Sequence, residues 1–198
     1  MKQIIQLFHN LIGKKAKPDD GVQKHKTDSG VSRAADLSRF GTERQDEPTA
    51  QTLDRQTFEK SVNESLSKGP GTGGLLVCDV DKCREINDIY GYDAGDAALA
   101  NVADVLRCVF GGGIHFGSFG GDEFVLVFRN IPKEIFAGRL EKIRKAVSDI
   151  VLEEFPEMRL SVSIGGYYGE GTMEKLVEKA DELLYAAKTN RNSIRLNF

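Results

Sequence analysis

Apolar residues recur at helical spacing in some segments of the chain and form short continuous runs in others. Helices are predicted for the segments with the helical spacing: 52–68, 82–90, 95–110, 132–150 and 172–187. Strands are predicted for the runs GLLVCDV (74–80), RLSVSIGGY (159–167) and SIRLNF (193–198), and for both halves of a hairpin in FGSFGGDEFVLVF (116–128). The predicted order is therefore α-β-α-α-β-β-α-β-α-β.

A hairpin within this alternation of helices and strands predicts the fold class. It favours an α+β fold with a central, mostly antiparallel sheet flanked by helices, which is an elaborated ferredoxin-like plan. The residues of this domain are predicted to be 48–198, because the regular pattern begins near residue 50.

Two different segments precede that domain. Residues 1–13 are predicted to form an amphipathic helix, whose apolar face comprises Ile4, Ile5, Leu7, Phe8, Leu11 and Ile12. Residues 14–47 are polar and mixed in charge, which is typical of a flexible linker. The apolar face suits packing on the domain, self-association or a membrane surface, and its few basic residues favour the first two.

Composition excludes several classes of partner and compartment. The 198 residues carry 27 Lys and Arg against 30 Asp and Glu, so there is no broad basic surface and no nucleic acid partner is expected. The three cysteines lack C-x-x-C spacing, which argues against a disulfide framework or a zinc site. No long apolar run or secretion signal is evident, so we expect a cytoplasmic protein without membrane contact.

Two acidic clusters follow predicted strand ends. Asp79 lies in CDVDK at the end of the strand GLLVCDV, and Asp122 and Glu123 follow Gly120 and Gly121 in the hairpin. A Gly-Gly turn alone is usually structural. If the first strand neighbours the hairpin, however, the two aspartates lie at adjacent strand ends, where they can share Mg²⁺ together with substrate phosphates. The sequence therefore predicts a phosphoryl-transfer site.

Five ordered motifs resemble one known family over residues 47–198. They are LDRQTF (53–58), DVDKCREINDIYGYDAGDAAL (79–99), GGDEF (120–124), SVSIGG (161–166) and ADELLYAAKTNRN (180–192). The chain is thereby identified as similar to the GGDEF family of diguanylate cyclases. This resemblance implies a fold like that of nucleotide cyclases and polymerase palms.

The resemblance also implies an activity and a set of site residues. Two GTP molecules, one per subunit of a homodimer, would condense to cyclic di-GMP and pyrophosphate. Asp79, the Val80 carbonyl and Asp122 would hold Mg²⁺ or Mn²⁺. Asp122 or Glu123 would help to deprotonate the attacking 3′-hydroxyl, while Gly120 and Gly121 admit phosphate. Asn87 and Asp96 would pair with guanine through amide and carboxylate groups.

The rim of the implied site departs from the family pattern. Arg84 stands where the family has a phosphate-binding Lys, and Tyr92 replaces a usual His. Lys188 and Arg191 resemble a C-terminal phosphate-binding pair, but KTNRN is one residue shorter than usual and lacks the usual Gly. These changes motivate an alternative, a weak or inactive domain that binds GTP or a protein. A scaffold that recruits another protein is a third hypothesis.

Structural roles compete for several of these residues. Asn87, Asp96 and Asp81 suit helix capping, and Arg84 suits a solvated helix face. The family's R-x-x-D product-inhibition site would fall at Gly111 and Ile114, neither of which is charged. We therefore expect no inhibition by cyclic di-GMP through that surface.

Overall fold

The computed structural model describes residues 55–66, 73–110, 115–118 and 121–198. The predicted N-terminal helix (1–13) and linker (14–47) lie outside the described residues, as does Gly120.

Helices and strands follow one another in the predicted order. The first five elements are α1 (Arg55–Leu66), β1 (Gly73–Val80), α2 (Cys83–Tyr90), α3 (Tyr92–Phe110) and β2 (His115–Ser118). The other five are β3 (Glu123–Arg129), α4 (Lys133–Ser148), β4 (Val162–Gly169), α5 (Met173–Lys188) and β5 (Ile194–Asn197).

The strands form one sheet in the order β2-β3-β1-β4-β5. Strand β1 is central and pairs antiparallel with both β3 and β4. The β2–β3 pair is also antiparallel, whereas β5 runs parallel to β4. The prediction of a mostly antiparallel sheet in an α+β fold is confirmed.

Helices cover both faces of the sheet, and β1 contributes to both cores. Leu76, Cys78 and Val80 belong to a core shared with α2, α3 and α4, whereas Leu75 and Val77 face α1 and α5. Every residue of β1 is buried. A strand covered on both faces needs apolar residues at odd and even positions alike, which explains the continuous run in the sequence.

The predicted bounds of two elements, α3 and β4, are wrong. Helix α3 begins at Tyr92 rather than near Gly95, because Gly91, with φ of 89°, ends α2 and the next helix starts at once. Strand β4 spans Val162–Gly169 rather than 159–167. Its length is set by its partner, since β4 pairs with all of β1 from Gly73 to Val80.

Candidate active site

The two predicted acidic clusters meet at one edge of the sheet. Asp79, near the end of β1, lies opposite Glu123 at the start of β3 in the strand register. The Val80 amide donates a hydrogen bond of 3.0 Å to the carbonyl oxygen of Asp122. The structure therefore brings Asp79, Val80, Asp122 and Glu123 together, as their positions at strand ends predicted.

Asp79 and Glu123 lie on the side of the sheet that α5 covers. Strand alternation places Asp79 on the same face as Leu75 and Val77. Lys188, in the last turn of α5, donates a hydrogen bond of 2.7 Å from Nζ to Asp79 Oδ2. Asp79 is only 6% exposed, so its carboxylate has lost most of its hydration. The ion pair with Lys188 compensates for much of that loss.

Burial dominates the protonation of these acids. It raises the pKa of Asp79 to about 6, although the hydrogen bond and charge of Lys188 act in the opposite direction. It raises the pKa of Glu123 to about 7, and the negative charge of Asp79 adds to this effect. Burial opposes protonation of Lys188, but the contact with Asp79 outweighs it and raises the Lys188 pKa. The acidic edge is thus a cluster of mutually coupled charges.

A cleft of about 370 Å³ opens beside this edge. Five residues predicted for the site line it: Arg84, Asn87, Tyr92, Gly121 and Asp122. Cys83, Asp88 and Leu99 complete the described lining. Gly121 has φ of 89°, a left-handed conformation that glycine adopts without strain, and it is exposed at the cleft. Asp122 therefore connects the acidic edge to the cleft.

Asn87 is positioned by a close approach between α2 and α3. A Cβ atom at Gly95 would overlap Asn87 Oδ1, so the Asn87 side chain lies directly against the backbone of α3. The Asn87 carbonyl accepts a 3.0 Å hydrogen bond from the Gly91 amide, which closes α2. Glycine at 95 is thus a requirement for this Asn87 position.

Asp96 and Arg191 lie at the periphery. Neither is among the described lining residues of the cleft, and both are exposed. Capping is the wrong interpretation for Asp96, which lies inside α3, and for Asn87, which lies inside α2. Their side chains are therefore available for roles other than starting a helix.

Sequence reasoning missed two buried carboxylates near the site. Asp81 does not cap α2 as expected, because its side chain accepts hydrogen bonds from Ser161, Ser163 and the Asn192 amide instead. Asp181, on the buried side of α5, lies close enough to raise the pKa of Glu123. The sequence did contain a signal for Asp181, because its position in the helical repeat places it on the inward face of α5.

The donor atoms at the edge fit Mg²⁺ that is completed by a substrate. Among the described residues, no group of three or more His, Cys, Asp or Glu side chains converges to hold a metal ion. Asp79, Asp122 and the Val80 carbonyl offer hard oxygen donors, and Mg²⁺ commonly uses one or two carboxylates together with waters and phosphates. A metal ion here would need the phosphates of its substrate.

A sequence model of one family, described as "Diguanylate cyclase, GGDEF domain", matches residues 47–193. "Diguanylate cyclase DgcM" of Escherichia coli K12 is 32% identical over 122 residues, which are 61% of this chain and 30% of that protein. "Probable diguanylate cyclase DgcI" of the same organism is 36% identical over 144 residues, which are 70% of this chain and 30% of that protein. The chain thus spans about a third of the length of these curated relatives.

Solved structures give the same result for the fold. The coiled coil and GGDEF domain of DgcB from Caulobacter crescentus, solved in complex with c-di-GMP, superposes with a TM-score of 0.70 at 25% identity. The similarity covers 75% of this chain and 85% of that one. In the parts of the chain that the structure describes, no helix has the length and apolar character needed to cross a bilayer.

Proposed function

The chain belongs to the GGDEF-domain family, and from this premise we propose that it is a diguanylate cyclase. It condenses two GTP molecules into cyclic di-GMP and releases two pyrophosphates. The names of its relatives support this activity. The observation that carries the proposal is the meeting of Asp79 and Asp122 at neighbouring strand ends, beside a cleft lined by Asn87 and Arg84.

The proposed residues divide the tasks of this reaction among them. Asn87 and Asp96 pair with guanine, and the cation of Arg84 meets phosphate in the cleft. Asp79, Asp122 and the Val80 carbonyl would hold the metal ion. Mg²⁺ bound there would neutralise the negative charge that accumulates on the phosphates of the substrate. Lys188, which contacts Asp79, and Arg191 add positive charge that would attract the phosphates.

The chemical step exchanges one phosphorus–oxygen bond for another, and it takes place twice, once at each α-phosphate, to close the ring. The 3′-oxygen of one GTP bonds to the α-phosphorus of the other, the α–β anhydride bond breaks, and pyrophosphate leaves. The hydroxyl proton passes to a carboxylate. Asp122 is one candidate acceptor because it lines the cleft. Glu123 beside it is the other, because burial raises its pKa to about 7, which suits a general base near neutral pH.

Catalysis requires a homodimer, because the cleft described above would hold one nucleotide and the product joins two. The apolar face predicted for residues 1–13 would raise the local concentration of the two half-sites. Specific activity that stays constant as the protein is diluted to nanomolar concentration would contradict this requirement.

The test of the activity is direct. Purified protein is incubated with GTP and Mg²⁺, and the nucleotides are separated by chromatography, with EDTA in one control and ATP replacing GTP in another. We expect cyclic di-GMP and pyrophosphate only with GTP and metal. The absence of product at micromolar protein over hours would contradict the proposal.

A second candidate is a domain that binds GTP without turning it over. The ion pair of 2.7 Å between Lys188 and Asp79 favours it, because the lysine occupies an oxygen that the metal ion needs. Calorimetry with GTP and Mg²⁺ in the same preparation distinguishes the two candidates. Binding without product supports the second, and binding with product supports the first.

A further inference from the structure

Asp81 is a buried carboxylate whose partners join three separate parts of the chain. It is 6% exposed and follows the last residue of β1. Ser161 Oγ and Ser163 Oγ each donate a hydrogen bond of 2.7 Å to it, one to each carboxylate oxygen. The backbone amide of Asn192 donates a third, of 2.8 Å. The carboxylate thus links β1, β4 and the turn between α5 and β5.

That turn has an unfavourable backbone conformation. Arg191 and Asn192 have φ of 45° and 41°, and two successive non-glycine residues in the left-handed region are uncommon. The sequence here is one residue shorter than the family pattern and lacks its glycine. Some interaction must therefore hold the turn, and a charge-assisted hydrogen bond to the Asn192 amide is a strong one.

The same turn carries charge toward the cleft. Lys188 precedes it and contacts Asp79. Arg191 lies near the start of α2, because the next residue, Asn192, is bonded to Asp81, which comes two residues before Cys83. Helix α2 also carries Arg84 and Asn87, which line the cleft. A shift of the turn would therefore move Arg191 relative to the cleft.

We propose that Asp81 is a positioning residue, which fixes the turn at 189–192 so that Arg191 meets the phosphates of the bound nucleotide. The contact between Arg191 and the nucleotide rests on the proposed function. The link between Asp81 and the turn does not depend on it. Asp81 itself touches no substrate and acts through Asn192. Its hydrogen bond to the Asn192 amide offsets the cost of the left-handed conformation, which a glycine would adopt without strain.

The link to the turn is tested without any nucleotide. Hydrogen exchange of the Asn192 amide is measured by NMR in the full chain at low urea concentrations. Although Asn192 is an exposed residue, its amide should exchange slowly because it is bonded to a buried carboxylate. Fast exchange of this amide in the wild-type protein would overturn the proposal, whatever the variants do.

Two variants separate the turn from general stability. Asp81→Ala should raise the exchange rate of the Asn192 amide by about tenfold or more, relative to any change at amides in the middle of β1. Ser161→Ala is the matched control, because it removes a donor from the same carboxylate oxygen and leaves the Asn192 bond in place. An equal rise in both variants would show that Asp81 acts only through overall stability.

A double-mutant cycle tests the role in binding. Affinity for a non-hydrolysable GTP analogue with Mg²⁺ is measured by calorimetry for Asp81→Ala, Arg191→Ala and the double variant. We expect each single change to weaken binding about tenfold and the double variant to match Arg191→Ala alone. Additive losses would overturn the positioning role. Absence of analogue binding by the wild-type protein would count against the proposed function, while the exchange data still decide the link to the turn.

Discussion

The two sides of the acidic sheet edge differ in how far the protein already satisfies their charges. On the α5 side, Asp79 is buried and paired with Lys188, and Glu123 lies next to them. On the cleft side, Arg84 and Asp88 are exposed and Tyr92 is 80% exposed. The first arrangement is complete without a ligand, whereas the second gains partners only when one binds.

The difference separates two kinds of substitution. A change on the α5 side disturbs an ion pair in which Asp79 has little access to water, so it affects the fold and the chemistry together. A change on the cleft side leaves the remaining groups solvated, so it should affect the ligand alone. Asp122 belongs to both sides, because its carbonyl bonds to β1 and the residue lines the cleft.

The largest effect is expected at the two aspartates. Asp79→Asn and Asp122→Asn should each lower turnover by about a hundredfold or more, because the metal site has few carboxylates to lose. Asp122→Asn should leave the melting temperature unchanged, whereas Asp79→Asn should lower it slightly, since Lys188 loses its partner. Turnover and thermal unfolding are measured on the same preparations.

Asp149→Asn serves as the control for these two variants, because Asp149 is an exposed residue at the C-terminal end of α4. It should behave as the wild type in both measurements. Turnover near the wild-type rate in either aspartate variant would contradict the assignment of the metal site.

The next largest effect is expected for Gly95→Ala, which removes no polar group but should disrupt guanine binding. In Gly95→Ala, the new methyl group overlaps Asn87 Oδ1 and displaces the amide from its present position. We expect affinity for GTP to fall by about tenfold to a hundredfold, and selectivity over ATP to shrink, because a displaced amide no longer pairs with one base edge. Competition binding with labelled GTP measures both.

Gly138→Ala is the matched control, since Gly138 also lies in a helix and nothing lies within 4 Å of a Cβ atom there. Alanine should stabilise α4 by about 1 kcal/mol and leave nucleotide affinity unchanged. If Gly95→Ala binds GTP as tightly as this control, Asn87 has no part in reading guanine.

Substitution of Lys188 should have a smaller effect, and it should change the affinities for Mn²⁺ and for GTP in opposite directions. Lys188→Met removes the cation that occupies Asp79 Oδ2, so Mn²⁺ alone should bind about threefold more tightly, while GTP loses a phosphate contact and binds more weakly. Paramagnetic resonance of free Mn²⁺ and calorimetry with GTP measure the two affinities. Lys179→Met, which breaks an exposed pair with Glu182 on the same helix, should change neither. A parallel loss of both affinities would show that Lys188 only supports the fold.

The helices and strands could be predicted from the sequence, because the burial of each element is recorded in the spacing of its own apolar residues. The run in β1 follows from burial on both faces, and the amphipathic repeats of α4 and α5 follow from packing on one face. Gly95 misled the prediction of α3, since glycine usually interrupts a helix and its reason here is contact with Asn87 in another element.

The site could be predicted only where a motif encodes it. The acidic clusters lie at strand ends, so the register of neighbouring strands brings them together. Asp81 was predicted to be a cap because capping is a short-range signal. Its real partners are 80, 82 and 111 residues away along the chain, and no pattern in a single sequence encodes such contacts.

The smallest effect is expected from the product itself, at positions that lie outside the described residues. An inhibitory site of the R-x-x-D type grips cyclic di-GMP with one arginine and one aspartate, and the matching positions here are Gly111 and Ile114. Without arginine there is no bidentate contact to phosphate, and without aspartate there is no acceptor for the guanine N–H groups. Added cyclic di-GMP should therefore leave the initial rate unchanged until it competes with GTP in the cleft. Initial rates at increasing product, together with calorimetry after the cleft is blocked with a GTP analogue, measure this. Tight binding of cyclic di-GMP to the blocked protein would reveal an inhibitory site built from other residues.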